Sequence, residues 1–554
     1  MAGSRDRLVV AAALLAVVAL VGVPLYRLAQ TASEGGTGSI SRVLHAPGFA
    51  GAAWHSLMLA LVVPVIAVPL GAATALLLRR PDVPARRLLQ VLVLAPLVVP
   101  QFVLGYSWTQ AYSQAGFTDQ LLGVHWAGLT GPVGVVVVLV VDAAPLSYLL
   151  TTAGLATRAQ PDLERAARAS GADGWTTLRT VTLPLLRPVL AAATVLTFVA
   201  TLETFAVPQV LGAPGGFSTL TTRIYADLSL ASDPASFVDA VTLALGLVVV
   251  AAVILAPADL VLGPRLRTTR SAQAGGAVRA SRRDRRTIGA AALLAGYLLL
   301  AVGVPTLALV LASITRAVGV PATPGNWTLD NFRTALDGPT VDSIGHSLQL
   351  AVAAACALTL LGAVLAALER RRAGRALGSL VILTFAIPGS TLAVGLLIAY
   401  GRWLSGGLFL ILLAYLAKLW ALAHRTVSGA VDRVPPAEAQ AARCSGAGPA
   451  AVLRTVWLPA LAPALVVAWL LTFVTALHEV TMSSLLYSTG NETLAVAVLN
   501  SQQLGEVGTT AALSVVLTLL LVVGALPAWV LLRLLSRRRV GAPRLIAARV
   551  AHAR

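Results

Sequence analysis

Few side chains in this sequence could do chemistry, and most stand alone inside long apolar stretches. Glu203 lies in Leu202-Glu203-Thr204-Phe205-Ala206-Val207-Pro208, and His478-Glu479-Val480-Thr481 occupies a comparable place later in the chain. A carboxylate within a membrane segment is costly and defaults to a functional hypothesis. Glu203, His478 and Glu479 are therefore candidate pathway residues able to attract a cation; packing carboxylates hydrogen-bonded between helices are the equal alternative. Asp142 and the single lysine, Lys418, read as structural, with Lys418 snorkelling toward the cytosolic face. His55 and His346 open two similar stretches and read as interfacial rather than metal-binding. Cys356 and Cys444 fall in different environments without metal-ligand spacing, so neither a disulfide framework nor a metal site is expected. There is no HExxH, no GxSxG and no pair of catalytic carboxylates in a shared segment. No catalytic residue and no cofactor are expected. The P-loop pattern Gly-x-x-x-x-Gly-Lys-Ser/Thr is also missing, because Lys418 follows Leu413-Ala414-Tyr415-Leu416-Ala417. Any ATP-driven work must come from another polypeptide.

One polar stretch is long and occurs twice. Pro161 to Pro188 and Pro436 to Pro463 align without gaps and agree at 15 of 28 positions. Leu163 to Ser170 is a run of good helix formers, Gly171 can end it in a left-handed cap, and Leu183-Pro184 is expected to restart the chain into the membrane. Two polar copies in a membrane protein suggest a surface that docks a partner twice.

The pattern resembles the EAA loop of type I ABC-transporter permeases: Glu-x-Ala-Ala, a Gly, nine residues, an aliphatic residue, one residue, Leu-Pro. Gly171 with Val181-Thr182-Leu183-Pro184 fits it, and so does Gly446 with Val456-Trp457-Leu458-Pro459. The resemblance implies two short coupling helices seated in grooves of a cytosolic ABC ATPase dimer. The coupling residues it implies are Glu164, Ala166, Ala167, Gly171, Leu183 and Pro184, and then Glu438, Ala441, Ala442, Gly446, Leu458 and Pro459. Glu164 is expected to contact the ATPase. Its aligned position is Ala439, with Glu438 one place earlier, so the two dockings are expected to be unequal.

The elements around these loops follow from composition. The 554 residues are 57% hydrophobic and only 12% charged, against about 25% charged in a soluble domain. Twelve apolar spans are expected at 8–26, 56–78, 88–108, 133–155, 187–207, 238–262, 288–313, 347–368, 377–400, 408–424, 461–482 and 510–534. The first is longer than a signal-peptide core and reads as an uncleaved helix. About 34 of the 40 arginines lie in the termini and the connections that include both duplicated loops, which puts these in the cytosol. The net charge of +18 is thereby explained by topology and membrane lipid, with no nucleic acid partner.

The duplication reaches further. His55-Ser56-Leu57 recurs as His346-Ser347-Leu348, and Leu196-Thr197-Phe198-Val199 as Leu471-Thr472-Phe473-Val474. The outer connection Gly401 to Gly407 is shorter than its counterpart at 109–132, which accounts for the change of offset. The fold class is thus an all-α polytopic membrane protein of about twelve transmembrane helices in two parallel six-helix repeats. The first half is 1–263 (core 52–262, loop 161–188); a basic linker is 264–286; the second half is 287–535 (core 343–534, loop 436–463); a basic tail is 536–554. Asn326 to Phe332 resembles the surface helix that precedes the core in this permease group, a candidate receptor contact or a plain interfacial helix anchored by Trp327. Thr219 to Tyr225 and Thr493 to Val496 extend the likeness to the ferric-iron permeases, with thiamine, polyamine and aminoethylphosphonate permeases close to it. The resemblance implies an importer subunit of the bacterial cytoplasmic membrane, multi-pass with both termini cytosolic. It would work by alternating access with an ATPase dimer and an extracytoplasmic solute-binding protein, and would carry a small molecule or ion. A twelve-helix secondary transporter is the rival, which would leave the duplicated loops unexplained.

Overall fold

A helix satisfies all its backbone groups internally, so a chain this apolar is expected to be helical wherever it meets lipid. The computed structural model describes residues 11–552, apart from 13, 35, 159, 230–232, 268–284, 318, 370–380, 382–383, 385–386 and 405–406. Among the described residues every element is helical, and the only β feature is an isolated bridge between Thr315 and Trp327. The first half contains α1 (Leu14–Glu34), α2 (Phe49–Leu78), α3 (Gln101–Tyr112), α4 (Pro132–Arg158) and α5 (Pro161–Ala169). It continues with α6 (Leu183–Glu203), α7 (Leu220–Ser229) and α8 (Pro234–Arg267). The second half repeats the series: α9 (Arg285–Ile314), α10 (Pro339–Glu369), α11 (Gly389–Leu404), α12 (Leu408–Val431) and α13 (Pro436–Cys444). Then come α14 (Leu458–Leu477), α15 (Leu494–Gln503) and α16 (Val507–His552), which carries on through the basic tail.

Ten described helices are long and apolar enough to cross a membrane, or eleven if Arg86–Leu97 and Gln101–Leu122 are one span. That pair is bent by 108°, so the expected span at 88–108 is not one straight helix. Pro96 and Pro100 explain the break: neither can donate to the helical ladder, and Pro100 is extended at ψ 140°. The expected span at 377–400 lies partly outside the described residues, as does most of the linker at 264–286.

Contacts divide the chain into two compact units. One gathers residues 32–336 and 499–515; the other gathers 1–31, 337–498 and 516–554. These units differ from the sequence halves, because the first helix of each half packs in the unit built mainly from the other half. A wide π turn sits at the packing point in both cases, at Val18–Gly22 of α1 and Leu299–Gly303 of α9. Tyr400 Oη donates to Ala19 O at 2.7 Å in one unit. In the other, Trp108 Nε1 donates to Ala301 O at 3.2 Å and Tyr112 Oη donates to Leu300 O.

Within each unit a duplicated glycine brings two helices together backbone to backbone. A Cβ on Gly71 of α2 would meet Ala144 O of α4 at 2.5 Å, and one on Gly362 of α10 would meet the Ala423 carbonyl carbon of α12 at 2.8 Å. Small residues let apolar helices approach backbone to backbone, where dispersion and hydrogen bonding replace a hydrophobic drive. Ser147 Oγ of α4 uses that proximity to donate to Val68 O at 3.0 Å.

Candidate functional site

The short helices of the two duplicated loops end in the same set of hydrogen bonds. Helix α5 starts with Pro161 at its first position, which needs no donor there. Asp162 and Glu164 lie in its first turn and Arg168 in its last, each favourable to the helix dipole. Its end is a Schellman motif: Gly171 N donates to Arg168 O and Ala172 N to Ala167 O, both at 3.0 Å. In α13 the corresponding bonds run from Gly446 N to Arg443 O and from Ala447 N to Ala442 O, again at 3.0 Å. Gly171 has φ +90° and Gly446 φ +82°, a region that costs a side-chain-bearing residue free energy. Ser170 Oγ and Ser445 Oγ complete the likeness by donating to Ala166 O and Ala441 O.

The following turns differ. Asp173 Oδ1 accepts from Thr176 N at 2.9 Å and caps the next helix. Hydrogen bonds from Thr176 hold the Asp173 carboxyl below its ordinary range. The second loop uses Gly448 and Pro449 at this place instead.

Helix-face pattern separates docking residues from anchoring ones. Ala166 and Ala441 are exposed, as is Glu438, while Ala167 and Ala442 are half-buried. Leu163 and Trp175 are 45% and 65% exposed, large apolar groups where the second loop has Glu438 and Ala450. Glu164 points the other way. It accepts from Arg79 Nη1 at the end of α2 and from Thr182 Oγ1, each at 3.1 Å. The expected outward contact is thus replaced by an inward one that pins α5 to α2. Ala439, its aligned residue, is also buried, so this position faces the core in both copies.

Leu183-Pro184 and Leu458-Pro459 also correct an expectation. They do not restart the chain but lie within continuous helices, Gly174–Glu203 and Pro449–Leu477. Each proline lacks the N–H for its turn, and the helix widens into a π turn just before it, at Leu178–Thr182 and Leu453–Trp457.

The candidate pathway residues sit at two breaks. α6 ends at Glu203, with Thr204 extended at ψ 134°, and α14 ends at Leu477 with His478 as its cap. Glu479 uses its carboxylate as a helix cap: its oxygens accept from Met482 N at 2.9 Å and from Ser483 N at 3.1 Å. Ser483 Oγ adds a bond at 3.2 Å and is itself paired with Tyr415 Oη at 2.8 Å. The acid that sequence reading offers as a cation lure is therefore fastened to the start of Thr481–Leu486. Asp142 accepts from Gln101 Nε2 at 2.7 Å, at the first residue of α3, and Gln101 Oε1 accepts from Thr204 Oγ1 at 3.3 Å. Lys418 does not snorkel: its Nζ donates to Ile387 O at 2.7 Å, just ahead of α11. In both halves an ionisable residue, Asp142 of α4 or Lys418 of α12, thus ties down the chain at or just before the start of a helix that follows a proline. Sequence reading missed these latches, and the only signal available was the recurrence of proline before α3 and α11.

The family model for the binding-protein-dependent transport system inner membrane component matches residues 67–263 and again 358–541. The chain belongs to this family. Two matches in one polypeptide make it a fused type I ABC permease, with a loop of the EAA kind in each matched segment. The permease is 27% identical over 511 residues to a protein of Sinorhizobium fredii described as a probable ABC transporter permease, covering 88% of this chain and 87% of that one. It is 24% identical over 495 residues to the Fe(3+)-transport system permease protein FbpB 2 of Haemophilus influenzae, covering 87% and 90%. It is 33% identical over 184 residues to the molybdenum transport system permease protein ModB of Escherichia coli, covering 31% and 78%. As a permease component it is a multi-pass inner-membrane protein and a transport subunit rather than an enzyme.

Proposed function

We propose that this permease is the transmembrane subunit of an ATP-driven importer, and that its cargo is ferric iron. The observation that carries the reading is the pair of exposed helices α5 and α13, ended by the same glycine-dependent motif. Each presents exposed alanines and one of them large apolar groups, a surface suited to seating in a groove of a cytosolic ABC ATPase. The groups at the two loops differ, so one ATPase subunit is bound more strongly than the other. Arg-rich connections favour both loops and both termini lying in the cytosol. An extracytoplasmic solute-binding protein delivers the cargo. ATP draws the two coupling helices together and opens the far side; hydrolysis resets the cycle.

Iron is favoured by the relative named for Fe(3+) transport, which aligns over most of both chains. Molybdate is the second reading, from the shorter match to a molybdenum permease; thiamine, polyamines and aminoethylphosphonate use similar machinery. Co-purification in mild detergent tests the first point: two ATPase chains per permease are expected. Reconstituted vesicles test the second, with ATP-dependent accumulation of radiolabelled ferric iron expected and molybdate left outside. Uptake driven by a proton gradient without any ATPase would overturn the proposal.

A further inference from the structure

The sequence repeat His55-Ser56 and His346-Ser347 has a structural counterpart that the coupling loops do not use. Ser56 Oγ accepts from Leu220 N at 2.9 Å, and His55 Nδ1 lies 2.9 Å from Ser218 O. A carbonyl can only accept, so Nδ1 carries the proton and donates. In the second half Ser347 Oγ accepts from Leu494 N at 2.7 Å and His346 Nδ1 donates to Glu492 O at 3.2 Å. Each pair therefore grips the two backbone groups on either side of one buried threonine, Thr219 or Thr493. The sequence separations are 163 and 164 residues in one half and 146 and 147 in the other. Two independent contacts are conserved across the duplication although the intervening chain differs in length.

What the pair grips is the segment that follows each helix break. In the first half Thr221 Oγ1 passes the restraint on to Thr204 O, at the break itself, at 2.6 Å. In the second half position 495 is alanine, and Glu479 caps the broken end instead. The His–Ser pair is what the two halves share. Irregular backbone in so apolar a chain persists only inside protein or along a water-filled cavity; Thr219 and Thr493 are buried inside protein, in the segments that follow the breaks carrying the candidate pathway residues Glu203 and Glu479. Helix α2 connects the pair to the energy-coupling end: His55 lies near its start, and Arg79, which follows its last residue, holds Glu164. At 1.5 Å per residue the two points are roughly 36 Å apart.

We propose that each His–Ser pair is a positioning clamp for the solute gate, holding the segment after the broken helix through imidazole Nδ1 and the serine hydroxyl. This rests on the importer reading given above. The role is positional: neither histidine needs to touch the solute.

The test uses the full permease with its ATPase and receptor in proteoliposomes. His55 and His346 are changed, singly and together, to Asn, Gln and Ala. Asn Nδ2 can stand where Nδ1 stands, whereas Gln places its amide one bond too far out. Gln and Ala variants are expected to lower uptake per ATP hydrolysed about tenfold, the effect of one lost hydrogen bond, with Asn restoring it. Amide exchange is read in parallel on the permease alone. Ser56→Ala and Ser347→Ala are expected to speed exchange at Leu220 and Leu494 about tenfold. Exchange needs no transport, so a failure of uptake in the unmodified protein would refute the importer reading while the clamp is still judged. Unchanged exchange in the serine variants, or folded Asn variants as impaired as Ala ones, would overturn the clamp.

Discussion

Replacing Gly171 by alanine isolates the backbone contribution to the coupling helix. A Cβ there would meet nothing within 4 Å, so the substitution introduces no clash. The only cost is conformational, because φ is +90°. Holding an L-residue in left-handed space costs about 1–2 kcal/mol. The Schellman bonds from Gly171 N and Ala172 N are then lost in a fraction of molecules that rises about 5- to 30-fold. Gly174 provides the control: it also has open space around its Cβ, but no positive φ. Gly171→Ala is therefore expected to lower ATP-driven uptake and ATPase retention in detergent, with the yield of folded permease unchanged, and Gly174→Ala to be neutral. Gly171→Asn should fall between, since Asn tolerates left-handed backbone, and Gly446→Ala should repeat the effect in the second loop. Equal behaviour of the Gly171 and Gly174 variants would refute the reasoning. So would a loss of uptake that merely tracks a loss of folded protein.

Other substitutions probe the remaining contacts. Glu164→Ala and Arg79→Ala should show a coupling of about 1–2 kcal/mol in a double-mutant cycle of thermal stability, given side chains 15% and 24% exposed. A coupling near zero would mean that the pair does not anchor α5. Gly71→Val and Gly362→Val would force backbone apart, an overpacking cost of about 1–3 kcal/mol or more, and should appear as early aggregation on heating. Tyr400→Phe and Tyr112→Phe should each cost about 1 kcal/mol through lost donation to the π turns, read as a lower midpoint of thermal unfolding. Asp119 supplies a pH test: the Ala115 N–H and His125 hold its carboxyl below the ordinary 3.8. A depressed folded value means that its contribution is present above pH 3.8 and lost as pH falls through the lower value. Pepsin cleavage between Ser113 and Gly131 should therefore rise on the acid side in the unmodified protein and lose that dependence in Asp119→Asn.

The duplicated loops were legible in the sequence because their structure is local. Gly171 and Gly446 end helices only nine residues long, and every bond that defines those ends spans five residues or fewer. The helical class was legible for a similar reason, since lipid demands internal hydrogen bonding along each span. What sequence did not disclose depends on partners far along the chain. Glu164 turns inward because Arg79, 85 residues earlier, meets it. Lys418 stays inside because Ile387 O accepts a hydrogen bond from its ammonium, and Glu479 caps a turn that exists only because α14 stops at Leu477. The break at Pro100 had its signal in Pro96 and Pro100, but apolar composition alone reads straight through them. The packing of α1 with residues of the second half had no sequence signal, because apolar helices carry no mark of which neighbour they will meet.

That exchange has a consequence for biosynthesis. α1 is among the first segments made, yet Tyr400 emerges 381 residues after its partner Ala19, roughly 20–75 s at ordinary translation rates. Through that interval α1 must survive in the bilayer without its eventual packing partners, so its own apolar length has to be enough to keep it inserted. The stretch from 32 to 336, by contrast, needs only residues 499–515 to complete its unit. Maturation of the fused chain is thus set by its last third, and a ribosome that stops before α16 leaves both units unfinished.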